Sequence, residues 1–219
     1  MIVWALWTNR NDLVWNGKSK AATSILNFAS SSLLQWESAQ QIELKDWRIK
    51  SGDGAIAWSK PRMGEFKCNV DGAVFAREQS IGFGCVIRNH QGRFIAARKG
   101  FLPGSSNPKF AEAMGVREAL GWIKEKFKNS PVSLETDSLC VIQAIRGLVS
   151  ENTYFQNIIE DCLNLLKDLP LVSCIFVRRS ANRVAHILAK ATDSSPGVVH
   201  WESIPPLSIC NALQSDLST

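Results

Sequence analysis

The 219 residues are 45% hydrophobic and 21% charged, which allows a buried core and excludes collagen-like, mucin-like and wholly disordered chains. Lys and Arg outnumber Asp and Glu by 25 to 20, and residues 61–192 hold the excess with 18 basic and 12 acidic side chains. That balance favours a polyanionic partner, and no apolar run reaches the roughly 18 residues that span a bilayer.

Met1–Trp7 is apolar but has no basic segment ahead of it and soon meets Arg10 and Asp12. It is not read as a signal peptide. Six widely spaced cysteines form no CxxC pair, so reduced thiols in an intracellular protein are expected.

Residues 1–57 read as a tryptophan-rich helical or linker segment. One or two modest helices are expected within residues 18–45, and Ser51-Gly52-Asp53-Gly54 with Pro61 marks a boundary. Six of the eight tryptophans (Trp4, Trp7, Trp15, Trp36, Trp47, Trp58) fall in the first sixty residues and need an apolar surface, on the following domain or on a partner.

From Phe66 the pattern changes. Phe66, Cys68 and Val70 alternate with Lys67, Asn69 and Asp71, which predicts a strand. Ile81–Arg88 and Arg93–Arg98, joined by the turn Asn89-His90-Gln91-Gly92, complete an antiparallel meander. Asn107-Pro108 suits the start of a helix that runs to about Lys128 on Ala113, Val116, Leu120, Ile123 and Phe127. A strand at Val132–Asp137 follows, then helices at 138–149 and 154–169, a strand at Val172–Val177 and a helix at Asn182–Ala191. Residues 193–219 read as a tail, leaving 58–192 as the domain. This order predicts a mixed α/β sheet with helices on its faces.

Asp71 and Asp137 each stand near the end of a predicted strand, and Glu112 lies in the first turn of a helix, close to its buried stripe. If the two strands are parallel neighbours, the two aspartates sit side by side. Three converging carboxylates repel one another and take raised pKa values unless a divalent cation neutralises them. Taken singly, each acid is equally a turn residue, a cap or a partner of the helix dipole. Arg88, Arg93, Arg98, Lys99, Lys124, Lys126 and Lys128 are candidates to meet phosphates, although alternate lysines share no helical face and solvation explains them more simply.

The series Cys68-Asn69-Val70-Asp71-Gly72-Ala73, Gly82–Asn89, Ala111-Glu112-Ala113, Glu135-Thr136-Asp137-Ser138 and Val177–Lys190 resembles the ribonuclease H domain of plants. It is most similar to the reverse-transcriptase-like, type-1 ribonuclease H modules of non-LTR retroelements and their domesticated relatives. Ile2–Asp12 also resembles the segment that precedes this module in plant retroelement polyproteins. The resemblance implies the ribonuclease H-like fold, a five-stranded mixed sheet in the order 3-2-1-4-5 flanked by helices. It implies endonucleolytic cleavage of RNA in RNA–DNA hybrids with two Mg²⁺ (or Mn²⁺) ions. Asp71 would bridge the two metal ions, and Glu112 and Asp137 would complete the second site. Nucleic acid would be met by Asn69, Gly72, Ala73, Ser138, Arg178, Arg179 and Asn182. The family's fourth acid follows Asn-x-x-Ala; here Asn182-Arg183-Val184-Ala185 is followed by His186, expected as a catalytic residue and a softer, nitrogen donor. The alternative expectation is a catalytically dead hybrid-binding or protein-interaction module derived from a retroelement.

Overall fold

The structure is a computed structural model that describes residues 2–18, 20–30, 49–103, 107–148, 154–191 and 197–217. The chain divides into a unit of residues 1–46 and a unit of residues 47–219. In the first, α1 (Ile2–Asn16) and α2 (22–30) are helical, and Trp7 and Trp15 are exposed. Trp36, Trp47 and most of the second expected helix lie outside the described residues.

The second unit is built on strands β1 (Ile49–Ala55), β2 (Phe66–Phe75), β3 (Ser80–Arg88), β4 (Phe94–Pro103), β5 (Val132–Thr136), β6 (Val172–Val177) and β7 (Gly197–Glu202). Its helices are α3 (Pro108–Lys126), α4 (Leu139–Ile145), α5 (Tyr154–Lys167), α6 (Arg183–Lys190) and α7 (Leu207–Leu217). The strands form one sheet in the order β1-β6-β5-β2-β3-β4-β7. Its middle five reproduce the expected mixed sheet, with β2 antiparallel to β3 and parallel to β5.

The sheet has seven strands, not five. β1 adds parallel to β6 and β7 adds antiparallel to β4. Each takes up the unpaired backbone edge that a five-stranded sheet would leave open. Residues 197–217, expected as tail, therefore supply an edge strand and a helix.

One face of the sheet carries Cys68, Val70, Phe83, Cys85, Ile87 and Leu134 into a core with α3, α4 and α5. Leu120 and Ile123 of α3 are fully buried there, and truncating either to Ala costs roughly 2–5 kcal/mol. The helix starts where the sequence indicates: the Asn107 side chain accepts from the Lys109 N–H at 3.0 Å, with Pro108 at the first helical position. On the other face, Val86 and Ala97 pack under Val184 and Leu188 of α6 and Ile209, Ala212 and Leu213 of α7. All six cysteines are free thiols, and burial pushes the Cys68 and Cys162 thiols up in pKa. No helix among the described residues is long and apolar enough to cross a membrane.

Candidate active site

Strand pairing puts Val70 opposite Thr136, so the next residues along these parallel strands, Asp71 and Asp137, emerge together. Glu112 arrives from the start of α3. A Cβ on residue 72 would lie 2.5–2.6 Å from backbone atoms of Ala111 and Glu112, so only glycine lets α3 approach this strand so closely. The Gly72 N–H then donates to Glu112 Oε2 at 3.2 Å. A second close approach sets α6 on β3: a Cβ at Gly84 would stand 2.5 Å from the Ala189 nitrogen. That packing brings His186 to the cluster.

Asp71, Glu112 and Asp137 each offer a carboxylate oxygen within 4.8 Å of the others. Asp71 is buried, the other two half-buried. Burial, and then the charge of Asp137, raise the Asp71 carboxyl to about 6, against an opposing hydrogen bond from His186. Burial, and then Asp71 and Asp137, raise Glu112 to about 9, with the Gly72 N–H pulling the other way. Two acids that resist ionising, with Asp137 beside them and all three presenting hard oxygen donors, fit a divalent cation.

Asn182 is almost completely buried and donates through Nδ2 to Asp137 Oδ1 at 2.8 Å and to the Val70 carbonyl at 2.9 Å. It thereby ties the start of α6 to both parallel strands. Among the described residues its own Oδ1 meets no hydrogen-bond partner. His186 approaches Asp71 with Nδ1 2.6 Å from Oδ2, and Arg179 Nη2 lies 2.9 Å from His186 Nε2. Both ring nitrogens therefore have polar neighbours, Asp71 on one side and Arg179 on the other.

The expected nucleic-acid contacts divide by burial. Gly72 and Ser138 are half-buried beside the acids, and Arg178 and Arg179 are exposed. Asn69, Ala73 and Asn182 are buried. Arg88, read as a candidate for phosphate, is 1% exposed.

Asn69 and Arg88 instead belong to a polar cluster that the sequence reading missed. Asn69 Oδ1 accepts from Trp58 Nε1 at 3.0 Å and Arg88 Nη2 at 2.9 Å, and Asn69 Nδ2 donates to Glu135 Oε2 at 2.9 Å. Lys67 Nζ pairs with Glu135 Oε1 at 2.6 Å, and the Arg88 guanidinium lies 3.5 Å from the Trp58 ring centroid. Arg88 Nη1 reaches Asp216 Oδ2 of α7 at 2.7 Å. The available signal is that Lys67, Asn69 and Asp71 share one strand face with residues two apart, so a polar run continues inward from the acids.

Sheet order, helix placement and the three acids together define the ribonuclease H-like class. The family model described as reverse transcriptase-like matches residues 69–192, and the chain belongs to that family. It is 29% identical over 161 residues to an Arabidopsis thaliana protein described as a "putative ribonuclease H protein", a match covering 74% of this chain. The chain spans 26% of the length of that relative. Among solved structures it is similar to ribonuclease H1 of Halobacterium salinarum NRC-1, with a TM-score of 0.52 at 23% identity, over 57% of this chain and 95% of that one. The N-terminal ribonuclease H domain of a Mycobacterium tuberculosis protein gives 0.51 at 17% identity, over 57% and 90%. LC11-RNase H1, solved with an RNA/DNA hybrid, gives 0.50 at 16% identity, over 56% and 92%.

Proposed function

We propose that the chain is a metal-dependent endonuclease that hydrolyses RNA in RNA–DNA hybrids. The observation that carries the reading is the convergence of Asp71, Glu112 and Asp137 within 4.8 Å at one end of a ribonuclease H-like sheet. These three residues would hold Mg²⁺ or Mn²⁺, and bound cations of this kind polarise a phosphoryl oxygen and lower the pKa of water. Gly72 and Asn182 orient Glu112 and Asp137 for that task. Exposed Arg178 and Arg179 flank the site and suit a phosphate backbone. Selection of the RNA strand would rest on its 2′-hydroxyls. The two-ion arrangement belongs to this proposal: a second ion would draw on Asp71 and a substrate phosphate, because His186 replaces the fourth acid.

The same replacement favours a second reading, a hybrid-binding module that has lost catalysis. Incubating purified protein with end-labelled RNA–DNA hybrid and Mg²⁺ or Mn²⁺ separates the two. Fragments that disappear in the Asp71→Asn variant support the nuclease; retention of intact hybrid on a filter supports the binding module.

A further inference from the structure

Helix α6 has only two exposed residues, and both are cations: Arg183 in its first turn and Lys190 in its last. Seven positions apart, they stand within about 20° of one another around the helix and about 10.5 Å apart along it. Arg178 and Arg179 are exposed where the 3₁₀ turn Arg179–Ala181 leads into the helix. Just past its end, Lys99 Nζ donates to the Ala191 carbonyl at 2.9 Å. Residues 169–192 contain no Asp or Glu.

Surface cations on α3 are matched by acids. Arg117 and Lys124 meet Asp161 and Asp168 of α5 at 3.0 and 2.7 Å. Arg183 and Lys190 meet no acid among the described residues. The start of a helix is also an unfavourable place for a cation, because the backbone dipole is positive there. No acid in the first turn of α6 offsets Arg183. Positive charge thus accumulates on this ridge against the local preference of the helix, and a bound anion would relieve it.

We propose that the exposed ridge of α6 is a phosphate track, on which Arg183 and Lys190 meet the backbone of a nucleic-acid duplex as it leaves the acidic cluster. The helix sets the direction. Asn182, at its start, is bonded to Asp137, and His186, one turn in, lies against Asp71. The ridge therefore begins at the acids and leads away from them. The two cations span about three nucleotides, at the roughly 3.4 Å that each strand rises per nucleotide along a duplex. Contacts of this kind set the register and orientation of the duplex and read no bases.

The choice of partner rests on the nucleic-acid reading of the site, but the test requires neither metal nor cleavage. Fluorescence anisotropy follows the full chain binding a labelled RNA–DNA hybrid in EDTA over a series of NaCl concentrations. Arg183→Gln and Lys190→Gln should each flatten the slope of log K against log [NaCl] by about 1, and the double variant by about 2. Arg183→Lys should keep the parent's slope. Lys124→Gln, which removes the same charge from α3, should keep it too. An unchanged slope in the double variant, equal flattening in Lys124→Gln, or a parent that binds no hybrid at low salt would each overturn the proposal. Flattened slopes in a chain that leaves hybrid uncut with Mg²⁺ and Mn²⁺ uphold the track and defeat the nuclease reading. Cleavage that disappears in Asp71→Asn, beside an unchanged slope in the double variant, does the reverse.

Discussion

Arg88 and Asp216, separated by 128 positions in the chain, form a 2.7 Å ion pair between the last residue of β3 and the C-terminal helix. Arg88 side-chain exposure is 1% and that of Asp216 10%, so neither charge is well solvated. Removing Asp216 takes away the carboxylate that Arg88 Nη1 meets and leaves the buried guanidinium with Asn69 and the Trp58 ring. Asp216→Ala is expected to destabilise the chain by about 3–5 kcal/mol, read from denaturant unfolding. The double variant Arg88→Met/Asp216→Leu should recover most of that loss, because no buried guanidinium is left to lose its carboxylate.

Asp71 is the acid that touches both neighbours and His186. Asp71→Asn should reduce hybrid cleavage by at least about a hundredfold, or some 2.7 kcal/mol at the transition state. Binding of the hybrid, followed by fluorescence anisotropy, should change little, and its affinity should fall steeply with salt. Loss of binding together with cleavage would point to a collapsed site instead.

Raised carboxyl pKa values make the metal-free chain pH-sensitive in a defined direction. The folded state holds protons on Asp71 and Glu112 more tightly than the unfolded chain does. Their contribution to stability is therefore present below the ordinary carboxylate range and is lost as pH rises, through about 6 for Asp71 and about 9 for Glu112. Melting temperatures without metal should decline from pH 5 to pH 9. Adding Mg²⁺ should raise them more at pH 9 than at pH 5, since a bound cation favours the ionised acids. An equal rise at both values would count against the cluster as the binding site.

Gly72→Ala tests the close approach of α3. Its Cβ would meet backbone at 2.5 Å, which no side-chain movement relieves. A loss of about 1–3 kcal/mol in unfolding free energy is expected, with Mg²⁺ affinity falling too, as Glu112 moves away with the helix.

His186→Asp places an acid where the family implies one. Mg²⁺-dependent cleavage should rise by about tenfold or more if the added ligand is worth some 1.4 kcal/mol at the transition state. Steady-state rates on labelled hybrid against Mg²⁺ concentration measure this directly.

The acids were legible in the sequence because each sits at a local signal. Asp71 closes a period-two run, Asp137 follows the strand that begins after Pro131, and Glu112 follows the Asn107-Pro108 helix start. The α6 helix was equally legible from its one-sided apolar spacing. The outer strands were not. β1 carries Gly52, Asp53 and Gly54, residues that ordinarily punctuate turns, and its pairing with β6 is irregular between Lys50 and Ala55. Gly54 adopts φ +74°, and a Cβ there would lie 2.8 Å from the Phe176 ring. β7 is mostly exposed, so no burial pattern marks it. Lys67, Asn69 and Glu135 look like the solvent side of an amphipathic strand. Their burial goes with Trp58 and Arg88, which lie outside the two strands that carry them and meet Asn69 directly.

The two outer strands bear on how the molecule can be divided. A fragment cut at residues 58 and 192 would keep every acid of the cluster, yet it would remove β1, β7 and α7 together. The outer backbone edges of β6 and β4 would then stand open, and strands with open edges pair with other chains. Arg88 would also lose Asp216. Such a fragment should be recovered as aggregates, whereas residues 49–217 keep both edges covered and also retain Asp216 for Arg88.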